Sequence, residues 1–145
     1  MDMNIRRYHG SGCGSPQNEL DSGITSHRQR RILIVEDELG VRRLIETILE
    51  RAGFAVECAV TGLHALEKLE SGLFDAVILD LALPWLTGFD VLTTLRERPA
   101  TADLPIIIIT GSHVTDSQFD RYPRVALVRK PFEPGALVAA VERLL

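Results

Sequence analysis

The sequence predicts an α/β fold, a doubly wound five-stranded parallel sheet. Short apolar runs rich in β-branched residues alternate with segments whose apolar positions recur at helical spacing. The runs are continuous rather than alternating, as in strands covered on both faces. Acids, a threonine and a lysine follow directly after four of the runs, at the end of the sheet where such folds carry their ligands.

The elements follow in order. Arg31 to Val35 (RILIV) is the first strand, and Val41, Leu44, Ile45, Ile48 and Ala52 then mark a helix with Gly53 as its C-cap. Ala55 to Ala59 is a second strand, weakened by Glu57 and Cys58; a helix with Leu63, Leu66 and Leu69 follows, closed by Ser71 and Gly72. Ala76 to Leu79 is the third strand, and the Pro84 to Gly88 turn leads into a helix carrying Phe89, Leu92 and Leu95. Pro105 to Thr110, with four consecutive isoleucines, is the most strand-like segment of all. Ser112 to Tyr122 is polar and ambiguous and is stopped by Pro123; Val125 to Arg129 is a fifth strand, and Leu137, Val138, Val141 and Leu145 mark the last helix. The pattern is five β-then-α units.

Composition narrows the function. A chain of 145 residues that is 46% hydrophobic fits one domain with a substantial core. Sixteen basic against twenty acidic residues give a net charge of -4, which disfavours tracking a phosphate backbone and argues against a direct nucleic-acid partner. The apolar runs fall far short of the roughly 20 residues of a membrane helix, so no membrane insertion is expected. Cys13 and Cys58 fit neither a disulfide framework nor a paired-cysteine zinc site, and a reducing, cytoplasmic setting is the economical reading. Residues 1–30 are rich in Gly and Ser, lack apolar periodicity and the apolar stretch of a secretory signal, and are expected to be a flexible leader to a domain spanning 31–145.

The residues just past the strands carry the chemistry. They are Glu36, Asp37 and Glu38 after the first, Asp80 after the third, Thr110, Gly111 and Ser112 after the fourth, and Lys130-Pro131 after the fifth. Taken singly, each has a structural reading: helix N-capping for the acids, a turn for Asp80, a capping hydroxyl for Thr110, a surface charge for Lys130. Together they place three mutually repelling carboxylates, Glu36, Asp37 and Asp80, on one rim, an arrangement that a divalent cation would relieve. Oxygen-only ligands suit Mg²⁺, and a lysine and a hydroxyl on the same rim could hold a phosphoryl group against the acids.

Four ordered motifs, ILIVEDE at 32–38, DAVILDLALPWLTG at 75–88, PIIIITG at 105–111 and VRKPFEP at 128–134, resemble the receiver domain of two-component response regulators over Arg31 to Leu145. The resemblance implies a flavodoxin-like sheet of order 2-1-3-4-5. It also implies that Asp80 takes a phosphoryl group from a phosphohistidine on a sensor histidine kinase or phosphotransfer protein. Mg²⁺ would be bound by Asp37 and Asp80, by Glu36 through water, and by the backbone carbonyl of Ala82. Thr110 would donate its hydroxyl to a phosphoryl oxygen, and Lys130 would pair with another and with Asp80, across a cis Lys130-Pro131 bond. The domain would catalyse its own phosphoryl transfer and dephosphorylation without being a free-standing enzyme.

The departures from that pattern fall near the fifth strand. Leu127 stands where the family usually has Tyr, Phe or His, Pro123 replaces a common glycine, and the stretch from Thr110 to Lys130 is shortened, so the fourth helix is expected to be short or loose. Trp85 is read as either a partly exposed contact or a loop-packing residue. Because the chain stops at Leu145 without a second pattern, the expected role is a stand-alone receiver acting on a downstream protein target, with a weak homodimer allowed. Two alternatives stand beside it: an aspartyl-phosphate phosphatase-type enzyme, and a receiver fragment of a longer regulator or hybrid kinase. The first is disfavoured because Leu39 stands two residues after Asp37, where such an enzyme carries a second aspartate.

Overall fold

Strands β1 (Arg31–Val35), β2 (Ala55–Ala59), β3 (Ala76–Asp80), β4 (Ile106–Thr110) and β5 (Val125–Arg129) form one parallel sheet in the order β2-β1-β3-β4-β5. The computed structural model describes residues 28–111 and 114–145. The expectations for the leader therefore lie largely outside the described residues, as do Cys13 and Ser112. Helices α1 (Leu39–Arg51), α2 (Gly62–Leu69), α3 (Gly88–Glu97) and α4 (Pro134–Leu144) connect or follow the strands.

Strand alternation divides the core into two layers. Leu33, Val35, Val77, Leu79, Ile106 and Ile108 face α2 and α3 through Ala65, Leu66, Leu69, Val91, Leu92 and Leu95. Ile32, Ile34, Ile78, Ile107, Ile109, Ala126 and Val128 face α1 and α4 through Ile45, Ile48, Leu49, Leu137, Ala140 and Val141. β3 and β4 are buried at every position, which is why their sequences read as unbroken apolar runs. The edge strand β2 departs for a local reason. Glu57 is half-buried and paired with Arg31 and with Lys68, whose Nζ lies 3.1 Å from Oε1, so its charge closes the sheet edge.

Helix ends follow the chain's own signals. Gly53, with φ of 98°, terminates α1 as the amides of Gly53 and Phe54 reach the carbonyls of Glu50 and Leu49, both at 3.0 Å. Thr87 and Asp90 form a reciprocal capping box at the start of α3.

Two expectations are corrected. The stripe predicted for α1 included Leu44, which is 50% exposed, while the inward positions are Arg42, Ile45, Glu46 and Leu49; Leu63 of α2 likewise faces solvent. The fourth β-then-α unit has no α-helix among its described residues: a single 3₁₀ turn, Asp116–Phe119, stands there. Thr115 and Gln118 close that turn in a capping box, only Val114, Phe119 and Tyr122 offer apolar surface, and Pro123 follows; the segment lacks both the length and the stripe to extend further. Phe119 fastens it by stacking on Phe89, ring centroids 5.5 Å apart. No helix among the described residues is long and apolar enough to cross a membrane.

At the sheet's amino-terminal end, the Arg96 guanidinium donates to the carbonyls of Thr101, Leu104 and Pro123 at 2.7–2.9 Å, tying α3 to the loops that enter β4 and β5. Burial holds its pKa below the usual value. Arg96→Met would strand three carbonyls and is expected to cost roughly 2–3 kcal/mol. The check is urea unfolding, with the midpoint lowered and the slope unchanged.

Candidate functional site

The sheet order reverses between β1 and β3, and ligands of such sheets collect at the strand carboxyl ends beside that reversal. Glu36 and Asp37 leave β1 there and Asp80 ends β3. One carboxylate oxygen from each of the three lies within 4.8 Å of the others. Glu36 and Asp80 are buried, 2% and 3% exposed, while Asp37 is open to solvent. An all-carboxylate set with one side facing water fits a hard divalent cation that retains part of its hydration.

The rest of the rim is held by backbone geometry. Thr110 ends β4, fully buried, one residue beyond Ile109, the register partner of Asp80. Its carbonyl accepts the Lys130 amide at 2.9 Å, fixing the start of the β5–α4 loop, where the Lys130-Pro131 bond is cis as the resemblance implied. Lys130 Nζ reaches back over the sheet, 3.3 Å from Glu36 Oε1 and 3.6 Å from Asp80 Oδ2. The stronger partner is thus Glu36, a contact the motif alone did not suggest. The Ala82 amide donates to Asp80 Oδ1 at 3.0 Å, and Ala82 itself is exposed beside the carboxylate.

Two glycines make this loop possible. A Cβ on Gly88 would stand 2.4 Å from the Asp80 carbonyl oxygen and 2.6 Å from Leu81 Cα, so the loop can fold back onto β3 only without a side chain there. A Cβ on Gly62 would meet the Leu86 carbonyl at 2.7 Å. One site residue escaped sequence reasoning. Arg42 is buried, and its guanidinium donates to the carbonyls of Glu36 and Asp37 at 3.1 and 3.3 Å, pinning the loop that presents both acids. The available signal was a charged residue on an inward helical position, in step with Ile45 and Leu49.

Burial, and next the Asp80 charge, push Glu36 up to about 7 from an ordinary 4.5, against the pull of Lys130 and the Glu38 amide. The site as it stands therefore carries a like-charge conflict that Lys130 only partly settles.

The profile of the response regulator receiver domain matches residues 32–142, and the chain belongs to that family. Among curated relatives, it is 35% identical over 116 residues to the transcriptional regulatory protein DltR of Streptococcus agalactiae, covering 77% of this chain and 50% of that protein. It is 34% identical to the transcriptional regulatory protein ResD of Bacillus subtilis, covering 81% and 48%. The chain thus spans about half the length of these relatives. Among solved structures, the chemotaxis protein CheY4 of Vibrio cholerae superposes with a TM-score of 0.75 at 28% identity, covering 81% of this chain and 100% of that one. The receiver domain of sensor histidine kinase PA1611 from Pseudomonas aeruginosa, described with a magnesium ion in its active-site cleft, gives 0.73 at 25%, covering 81% and 98%.

A carboxyl raised in the folded state binds its proton more tightly there, so its contribution is full below pH 4.5 and is lost as pH rises to about 7. Metal-free protein is expected to lose stability across that window, by a few kcal/mol at most, and Glu36→Gln to flatten the dependence. Thermal melts in chelator between pH 4.5 and 7.5 measure it; equal slopes in the two proteins would count against this origin.

Proposed function

We propose that Asp80 is the phosphoacceptor of this receiver and that it takes its phosphoryl group from a phosphohistidine on a sensor kinase or phosphotransfer protein. The observation that carries the reading is the pairing of a recessed Asp80 carboxylate with Lys130 Nζ at 3.6 Å, inside a ring of acids that fits a divalent cation. A lone buried carboxylate would be a poor place to put more negative charge. Here Lys130 is placed to balance part of it, with Thr110 ending the adjacent strand.

In the transfer, an Asp80 oxygen donates an electron pair to phosphorus as the P–N bond breaks, and the imidazole leaves with that bond's electrons and takes a proton. The chain's own work is positional. The Ala82 amide orients Asp80 through Oδ1, Arg42 fixes the loop carrying Glu36 and Asp37, and Lys130 steadies the charge on the transferred group. Glu36, Asp37, Asp80 and the Ala82 carbonyl would hold Mg²⁺, which when bound neutralises charge on the phosphoryl oxygens. The domain serves as both catalyst and acceptor, and its output passes through protein contact; residues 31–145 form the acceptor unit, with 1–30 a leader whose last residues, Arg28, Gln29 and Arg30, are bonded to Asp75, the Gly53 carbonyl and the Ala55 amide, and a cytoplasmic setting is part of the same proposal. The transcriptional regulators among its relatives support a role upstream of gene control within an assembly. A phosphatase-type reading has no comparable support, since Leu39 opens α1 where its acid-base aspartate would stand.

Acetyl phosphate with Mg²⁺ is expected to label the wild type and to leave Asp80→Asn unlabelled, read by intact-mass spectrometry; equal labelling would sink the assignment. Mg²⁺ at one hundred times its Kd should stabilise the fold by roughly 2.7 kcal/mol, with most of the shift lost in Asp37→Ala. A melting temperature indifferent to Mg²⁺ would contradict the metal site.

A further inference from the structure

Two described residues other than glycine have a left-handed backbone, Arg124 and Trp85. Arg124 has a use for it, since its guanidinium reaches the Leu144 carbonyl. Trp85, with φ of 61°, sits in the loop between β3 and α3, in a conformation glycine enters freely and a bulky side chain rarely adopts. Its indole is 87% exposed, so burial returns nothing for the strain. The loop cannot relax by moving away, because its flanks are pinned: Gly88 lies against the Asp80 carbonyl, and Leu86 lies against Gly62. The turn itself is closed by the Gly88 amide on the Leu81 carbonyl at 3.2 Å, yet it sets a large exposed indole where a glycine would serve, and a side chain kept there at a conformational cost points to a contact made outside the chain.

The surroundings define that contact. The approach of Leu86 to Gly62 brings the first turn of α2 beside the loop, where Leu63 and Val60 are 62% and 39% exposed. Val60 follows Ala59, whose carbonyl accepts the Glu36 amide at 3.1 Å, so the apolar patch runs along the rim to the edge of the acidic pocket. Asp80 is 3% exposed. A small phosphodonor needs only the pocket, but a protein that delivers a phosphoryl group from a histidine must press on this rim to reach it. Tryptophan is among the residue types enriched at the energetic centres of such contacts.

We infer that Trp85, flanked by Leu63 and Val60, is the apolar anchor on which the phosphohistidine-bearing donor protein docks. The inference rests on the reading of Asp80 as acceptor, and the donor's size separates the two. Trp85→Gly removes the indole and relieves the backbone, so the variant keeps its fold.

The 145-residue chain is assayed with acetyl phosphate and with autophosphorylated histidine-bearing domains from a panel of purified sensor kinases, using whichever labels the wild type fastest. Trp85→Gly should melt at the wild-type temperature or higher and take phosphate from acetyl phosphate at the wild-type rate. Its kcat/KM with the phosphohistidine domain should fall about thirtyfold, with a smaller fall for Leu63→Ser. Leu73→Ser, at a residue 56% exposed but at the opposite end of the sheet ahead of β3, should transfer normally. Undiminished protein-to-protein transfer in Trp85→Gly would overturn the anchor. So would a wild-type dimer that Trp85→Gly converts to monomer while transfer is unchanged, which would give the patch to a second copy of this chain. Failure of acetyl phosphate to label the wild type would instead remove the acceptor reading. Labelling by acetyl phosphate but by no panel member would overturn the protein donor.

Discussion

The site exists because the sheet reverses its strand order between β1 and β3. In a parallel sheet every strand delivers its carboxyl end to the same edge, and at the reversal the connections part to opposite faces, leaving an open notch. Into that notch the sequence puts Glu36, Asp37 and Asp80, whose carboxylate oxygens come within 4.8 Å of one another. Their repulsion is the constraint to which the neighbouring residues answer. Lys130 crosses from β5 to Glu36 and Asp80, and Arg42 turns inward from α1 to hold the acidic loop by its carbonyls. Gly88 lets the loop after Asp80 fold close enough to fix its backbone. A helix interior does not ordinarily accept a buried arginine; here its guanidinium sits on two carbonyl oxygens of the loop it stabilises.

The two faces of the sheet are not equally covered. On the side of α1 and α4, Ala126 and Val128 of β5 are buried. On the other side, Val125 and Leu127 are only half-covered, since a 3₁₀ turn stands where a fourth helix would lie. A cleft of about 290 Å³ remains there, lined by Asp116, Phe119, Leu127, Arg143 and Leu144. Leu127 therefore packs at the margin of the core, without a polar tip to trade one environment for another. The turn is held by the Phe89–Phe119 stack and by Arg129, which reaches the Val114 carbonyl and lies 3.7 Å from Asp116. A single turn held by a few contacts at the margin of the core has a lower opening free energy than the buried strands, so this segment reorganises more easily than they do.

The strands were legible because they are buried on both faces, and such runs have few alternatives. The site residue types were legible because each follows a strand directly, and a strand end leaves little freedom in where a side chain can be. What the sequence did not disclose depended on contacts between distant segments. Glu36 as the nearer partner of Lys130 comes from a separation of 94 residues. Arg42, which sequence reasoning passed over, lies on the inward side of its helix in step with Ile45 and Leu49, and the carbonyl acceptors that the acidic loop offers it are visible only in the fold. Leu44 and Leu63 were counted into their helices' apolar stripes from helical spacing, yet face water. The shortened fourth unit was visible as weak periodicity, but its collapse to a single turn follows from the Thr115–Gln118 capping box and the Phe119 stack.

These exposed apolar residues take on a common meaning when set against the pocket. Leu63, Val60 and Trp85 lie along one flank of the rim that carries the acids, and the interior is already filled by the residues packed beneath them. A rim that is acidic at its centre and apolar on its flank divides two tasks. On the proposed reading, the carboxylates and Lys130 would handle charge at close range, where a small donor and a protein donor would meet the same chemistry. The flank adds contact area that only a macromolecular donor can use, and apolar contact of this kind is little affected by the salt that screens charge attraction. On that reading selection among donors would rest on the flank, and the chemistry of transfer on the notch.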